Sequence, residues 1–342
     1  MSDILKAINP RTIFFDNAYL CEGFSIVGPK ELKGKLGDNF DFALINDRFN
    51  ENTFEKAERK MFETAINGVV TKSKMLPIEI DAILGGDLLN QIISASFSAR
   101  NATASFLGLY NACGTYAESL ILGAALVDKF FKNVICVSGS HFSSAERQYR
   151  YPLELGVLRS PVTQWTCTGV GASLVCNRKT DKNSPKITAA TAGRVIDFGI
   201  KDVNNMGAAM APAACDTLKQ FFCDTNTVPQ DYDLILTGDL GKLGKDILGD
   251  LMRQEGYDLK GNYADCGASL YFERQKTYQG GSGAACSAIV TNSMILDNLK
   301  SGQIKKMLLI GTGALMSPLT AFQGESIPAI AHLVELSSDI KE

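Results

Sequence analysis

Cys113 stands just ahead of an apolar helical stretch, Leu120 to Phe131. A cysteine at a helix start is placed to become a nucleophile, because the helix dipole and the free N–H groups of the first turn stabilise thiolate. Acyl transfer asks for more than the thiol, since a histidine or an amide must polarise the carbonyl and handle protons. Only His141 and His332 are available, and neither stands beside a second ligand at metal spacing, so no metal site is expected. The bland reading of Cys113 is a small buried residue at a helix start.

A second group of residues suits anion binding. Ser140-His141 closely follow the strand-like run Val134-Ile135-Cys136-Val137, at the strand edge where open α/β sheets place ligands. Arg147, Tyr149, Arg150 and Tyr151 follow within one loop or short helix. On a helix Arg147 and Tyr151 share a face, and Arg150 lies about 300° around from Arg147, so two guanidinium groups are expected near one side, where they could face an anion. The alternatives are an ordinary ion pair between Arg147 and Glu146, and for His141 a hydrogen-bonded cap at the strand end. Asp87 and Asn90 follow the strand ending Gly85-Gly86; Asp87 is expected to orient an arginine or to offer oxygen to Ca2+. Glu118 lies about a turn into the buried helix and requires a partner.

The elements that position these groups occur twice. Cys113, its helix and the strand ending at Val137 are matched 173 residues later by Cys286, Ile289 to Leu299 and the strand ending at Ile310. Upstream, Asp81-Ala82-Ile83-Leu84-Gly85-Gly86-Asp87-Leu88 is echoed 152 residues later by Asp233-Leu234-Ile235-Leu236-Thr237-Gly238-Asp239-Leu240. A repeat this long is a duplicated half-domain, not a solenoid unit. Helical periodicity in Glu55 to Val70 precedes a strand at Ile78 to Leu84, and Pro212 to Phe222 precedes a strand at Leu234 to Leu236. Such alternation implies parallel strands with helices on both faces. The Cys113 helix is apolar nearly all round and is expected between two sheets, giving five layers. The polar stretch Arg178 to Pro185 marks the boundary between halves 1–180 and 181–342.

Composition narrows the function class. Apolar residues make up 45% of the 342, enough for a well-buried core. A net charge of −3 argues against nucleic acid as a partner. No apolar run is long enough to span a bilayer, and the start Met1-Ser2-Asp3-Ile4 lacks the apolar region of a signal peptide. Nine cysteines without CxxC spacing favour reduced thiols. Thr168-Gly169-Val170-Gly171-Ala172 lacks the Lys-Ser/Thr of a phosphate loop, so a turn packed on the central helices is expected, with Trp165 in the core.

A cysteine opening a buried helix in a duplicated α/β chain resembles the thiolase and ketoacyl-synthase superfamily. More specific segments resemble the stage V sporulation protein AD family of spore-forming bacteria: Gly86-Asp87-Leu88-Leu89-Asn90-Gln91, Ala145-Glu146-Arg147-Gln148-Tyr149-Arg150-Tyr151-Pro152, Met210-Ala211-Pro212-Ala213-Ala214, Asp265-Cys266-Gly267, Gly311-Thr312-Gly313-Ala314-Leu315 and Ile330-Ala331-His332. The resemblance implies a thiolase-like duplicated five-layer αβαβα fold. It also implies binding of dipicolinic acid, pyridine-2,6-dicarboxylate, during uptake into the spore. Other stage V A sporulation proteins would be partners at the spore inner membrane, where the chain would sit peripherally, and homodimers are expected by analogy. No cofactor is implied, and whether Ca2+ accompanies the ligand stays open.

Ketoacyl synthases carry a histidine just after the strand that corresponds to Leu234 to Leu236, where Thr237-Gly238-Asp239 stands here. They carry a second His or Asn in the glycine-rich loop, where Gly280-Gly281-Ser282-Gly283 stands. A non-catalytic protein is therefore expected, with Cys113-dependent acyl transfer the alternative. The candidate ligand-binding residues are Asp87, Asn90, Cys113, Glu118, Ser140, His141, Arg147, Tyr149, Arg150 and His332.

Overall fold

The computed structural model describes residues 10–150 and 153–338. Strands of the first half are β1 (Tyr19–Val27), β2 (Ala82–Gly86), β3 (Ser105–Gly108), β4 (Asn133–Ser140) and β5 (Gly169–Cys176). Its helices are α1 (Phe54–Lys72), α2 (Ile93–Ala99), α3 (Thr115–Lys129) and α4 (Phe142–Tyr149). The second half adds β6 (Lys186–Thr191), β7 (Leu234–Thr237), β8 (Tyr263–Asp265), β9 (Lys306–Ala314) and β10 (Ala329–Ser337). With them come α5 (Met206–Thr225), α6 (Gly241–Gln254), α7 (Ala284–Val290) and α8 (Leu296–Ser301).

The duplication is visible in the sheet. The strand order is β1-β5-β4-β2-β3 in one half and β6-β10-β9-β7-β8 in the other, and the two are joined by the pairing of Tyr19 with Lys186. Arg178 to Pro185 runs between β5 and β6.

Among the strands named above, the parallel expectation holds for β4, β2 and β3 and for β9, β7 and β8. β5 runs antiparallel to β4, with Ser140 opposite Gly169, and β10 antiparallel to β9. A parallel neighbour needs a crossover that carries the chain back to the other end of the sheet. After β4 the chain passes through α4 and enters β5 at the end it has just left, which helix–strand alternation alone does not reveal.

The elements stack in five layers around the buried side chains. α1 packs its buried Met61, Phe62, Ala65 and Val69 on the first half-sheet, and α5 packs Met210, Ala214, Leu218 and Phe221 on the second. Between the half-sheets lie α3 and α7. Tyr116, Ala117, Leu120, Ile121 and Ala124 of α3 are buried between the sheets, but Leu122 is exposed and Glu118, Ala125 and Leu126 are half-buried, so the helix keeps one open stripe instead of being enclosed all round. The Thr168 to Ala172 segment is mostly strand rather than turn, because β5 begins at Gly169. A Cβ at Gly171 would stand 2.4 Å from the Ala288 carbonyl carbon, so glycine lets α7 lie directly on the strand. α5 begins at Met206, six residues ahead of Pro212, with the Asn205 side chain accepting from Ala208 N at its start. No helix among the described residues is long and apolar enough to cross a membrane.

Candidate functional site

The parallel strands of both halves deliver their ends to one cleft. Leu88 follows β2, Tyr110 to Cys113 follow β3, α4 follows β4, and Ala314 and Met316 lie at the end of β9. Ser282 and Gly283 ahead of α7 and Met206 of α5 complete the lining, around about 450 Å³ of space that includes the open mouth.

Cys113 lies in the short turn Ala112–Gly114 rather than in the first turn of α3. Ala112 adopts φ 46°, a left-handed conformation that only a constrained non-glycine residue takes up. The thiol is buried, with Ser282 Oγ 4.0 Å from Sγ. Ser282 Oγ and Gly283 N donate to Asp239 Oδ2 at 2.9 and 3.0 Å, and Thr312 Oγ1 donates to Oδ1 at 2.9 Å. Burial, and then the Asp239 carboxyl, push the thiol well above its ordinary range, and burial raises Asp239 as well. The helix-start argument for thiolate fails here because an acid faces the sulfur and water is excluded.

The opposite wall is built on α4. Glu146 and Arg150 are one turn apart, each with a side chain 4% exposed, and Arg150 Nη1 lies 2.6 Å from Glu146 Oε1. Thr166 Oγ1 donates to the same oxygen at 2.9 Å, and Arg159 Nη1 lies 3.4 Å from Oε2. Arg150 Nη2 meets the Met206 sulfur at 3.9 Å, and its buried Nε has no partner. Tyr110 and Tyr149 join hydroxyls at 2.6 Å, and Tyr149 also donates to Leu88 O.

Of the ten sequence candidates, Cys113, Tyr149 and Arg150 meet in this cleft. Arg147 pairs with Glu55 on the surface, its side chain 48% exposed. The paired-arginine geometry therefore does not form: α4 ends at Tyr149, and Arg150 leaves the helix at φ −125°, ψ −75°. Tyr151, the other member of that face, lies outside the described residues. Asn90 sits on the outer surface, its N–H on Gln148 Oε1. Asp87 orients no arginine; its oxygens accept Leu89 N at 2.7 Å and Ala95 N at 2.8 Å, and burial raises it to about 6.

Ser140 lies behind the cleft, donating to Cys167 O at 2.8 Å and accepting from Ala285 N at 3.2 Å. His141 is the cap of α4: Nδ1 accepts from Ser143 N at 3.1 Å, which leaves the proton on Nε2 to donate to Asp47 O at 2.7 Å. His332 on β10 accepts from Gly193 N through Nδ1 at 3.1 Å, and its Nε2 lies 2.5 Å from the Asn111 side-chain amide. Burial lowers it to about 4. A neutral ring that accepts at Nδ1 donates at Nε2, so Asn111 presents its carbonyl oxygen there. Glu118 is raised by burial and turned toward Asn111 rather than the cleft.

Asp239, Ser282, Glu146, Thr166 and Arg159 were absent from the sequence candidates. Asp239 had a signal, since it is the repeat counterpart of Asp87. Glu146 had another, four residues before Arg150. Among the described residues no three His, Cys, Asp or Glu side chains gather as a metal site.

Comparison with known proteins gives the geometry a family. The profile of the Stage V sporulation protein AD family matches residues 9–337. Stage V sporulation protein AD of Bacillus subtilis (strain 168) is 43% identical over 330 residues, covering 96% of this chain and 97% of that protein. Among solved structures, a variant of Xanthomonas campestris OleA aligns with a TM-score of 0.62 at 12% identity, over 95% of this chain and 99% of that one. OleA with cerulenin bound gives 0.60 at 12% identity, over 95% and 98%. At that identity the likeness to OleA establishes the thiolase-like fold alone. With a profile match over nearly its whole length and a relative of such identity, the chain belongs to the Stage V sporulation protein AD family.

Proposed function

We propose that this chain is a non-catalytic binding protein for dipicolinic acid within the spore's uptake machinery. The observation that carries the reading is Arg150, a guanidinium almost wholly removed from water whose Nε has no partner and whose Nη2 meets only a thioether. Donors held dry at a cleft wall bind carboxylate strongly. Leu88, Tyr110, Tyr149 and Met316 supply the walls for a flat ring. In this reading the chain acts as a homodimer at the spore inner membrane, held peripherally by other stage V A sporulation proteins.

The thiol supports binding over chemistry. Its polar neighbours are a carboxyl and a hydroxyl already hydrogen-bonded to each other, and burial, then the nearby acid, disfavours its thiolate. The competing reading, acyl transfer through Cys113, draws on the thiol's position in the lining of an apolar cleft.

Calorimetric titration with dipicolinate separates the readings. Wild-type protein should bind saturably, and Arg150→Ala should weaken binding at least about tenfold, the loss of one charge-assisted contact. The same titration with and without Ca2+ reads whether the cation enters with the ligand. Absence of heat with wild type rejects the ligand reading, and a stable adduct on Cys113 after incubation with acyl-CoA installs the enzyme reading in its place.

A further inference from the structure

Resting on the binding reading above, we infer that the cleft recognises its aromatic acid through one carboxylate only, seated on the Nε–Nη2 edge of Arg150, while the remainder of the ring edge faces the mouth. The ligand class is thus a planar aromatic monocarboxylate unit, of which a diacid is one example.

Among the described residues Arg150 is the arginine that lines the cleft, and its Nη1 is already committed to Glu146. That contact orients the guanidinium and leaves its Nε–Nη2 edge as the one without an oxygen partner, the geometry that takes a carboxylate on two parallel N–H bonds. Arg159 stands behind Glu146 with Nη1 on that carboxylate and Nη2 on Gln164 O, and it is not part of the lining. Arg147 is outside, on Glu55. The Tyr110 and Tyr149 hydroxyls are satisfied by each other and by Leu88 O.

Arg150 and Arg159 against Glu146 leave one unbalanced positive charge at this wall. One carboxylate neutralises it. A second, buried in the same cleft, would meet the apolar side chains of Leu88, Ala145 and Met316, or the acid Asp239 behind Ser282. An unpaired anion is not held in such surroundings, so it must point to water.

The test is a ligand series on the unaltered full-length protein: dipicolinate, picolinate with its single carboxylate, and the uncharged pyridine-2,6-dicarboxamide, each titrated by calorimetry. Picolinate should bind within about tenfold of dipicolinate, and the dicarboxamide at least about a hundredfold more weakly, since only it lacks the charge-assisted pair. Arg150→Lys keeps the charge but not the fork, and should weaken both acids by the same factor. Picolinate binding a hundredfold or more weaker than dipicolinate overturns single-carboxylate anchoring while leaving the dipicolinate reading intact. Loss of dipicolinate alone in Arg150→Lys overturns it too. Failure of wild type to bind either acid removes both.

Discussion

Ser282 Oγ donates to Asp239 Oδ2 at 2.9 Å beside the Cys113 thiol, on the floor of the cleft. The pair decides the electrostatics of the floor, because a buried carboxyl opposes a second negative charge near it. Thr312 and the Gly283 N–H complete the set of donors, so the acid is held in place by the second half of the duplication while it faces Cys113 of the first.

That arrangement sets the reactivity of Cys113. Because a neighbouring acid raises a thiol, Asp239→Asn should lower the Cys113 pKa and speed its alkylation by iodoacetamide at pH 8 several-fold. Peptide mass spectrometry resolves Cys113 from the other eight cysteines, all unpaired, which serve as internal references. Fast alkylation of wild-type Cys113 that is flat from pH 6 upward would contradict the account, because it requires a standing thiolate.

His332 carries a pH signature with a definite sign. Its folded value of about 4 lies below the ordinary 6.5, so the unfolded chain binds the extra proton between them. The contribution is complete above about 6.5 and is lost as pH falls toward 4, on the order of 3 kcal/mol in all. His332→Gln should flatten the difference in denaturation midpoint across that window. A His332 imidazole resonance that titrates near 6.5 by NMR would refute it.

The duplication, the buried α3 helix and the cleft at the strand ends were legible in the sequence, because apolar periodicity and the spacing of Cys113 and Cys286 are local facts. Strand direction in β5 and β10 was not, since it depends on which end of the sheet a connection returns to. The site was half legible for the same reason. Arg150 is singled out by residue type, but its pairing with Glu146, a carboxylate that Thr166 and Arg159 also hold, depends on where α4 stops. His141 and His332 attracted notice as rare titratable groups, and the structure uses one as a helix cap and the other to join Asn111 to Gly193.

Two glycines separate packing from propensity. At Gly171 an added Cβ would meet the Ala288 carbonyl carbon at 2.4 Å and its oxygen at 2.5 Å, and backbone does not yield as a side chain does. Gly171→Ala should cost about 1–3 kcal/mol, seen as a lower thermal midpoint. Gly249, inside α6, has nothing within 4 Å of the same position, so Gly249→Ala should raise the midpoint by up to about 1 kcal/mol of helix propensity. Equal effects of the two substitutions would remove the claim that α7 rests directly on β5.

Glu31 shows the opposite sign to His332. It is fully buried, its Oε1 accepting from Tyr271 OH and from Thr168 N at 3.2 Å while Oε2 has no partner. Lys30 next to it lies over the Trp165 ring at 3.7 Å and donates to Gln275 O, so the neighbouring cation is engaged elsewhere. Burial raises Glu31 from 4.5 to about 7, so between those values the folded chain holds a proton that the unfolded chain has released. Its contribution is therefore full below about 4.5 and is lost as pH rises through 7. Glu31→Gln copies the protonated form, and at pH 8 it should be more stable than wild type by about 1–3 kcal/mol, with little difference at pH 5. Urea denaturation at the two pH values reads this directly, and a glutamine variant weaker than wild type at pH 8 would mean that Glu31 is held as an anion by a partner.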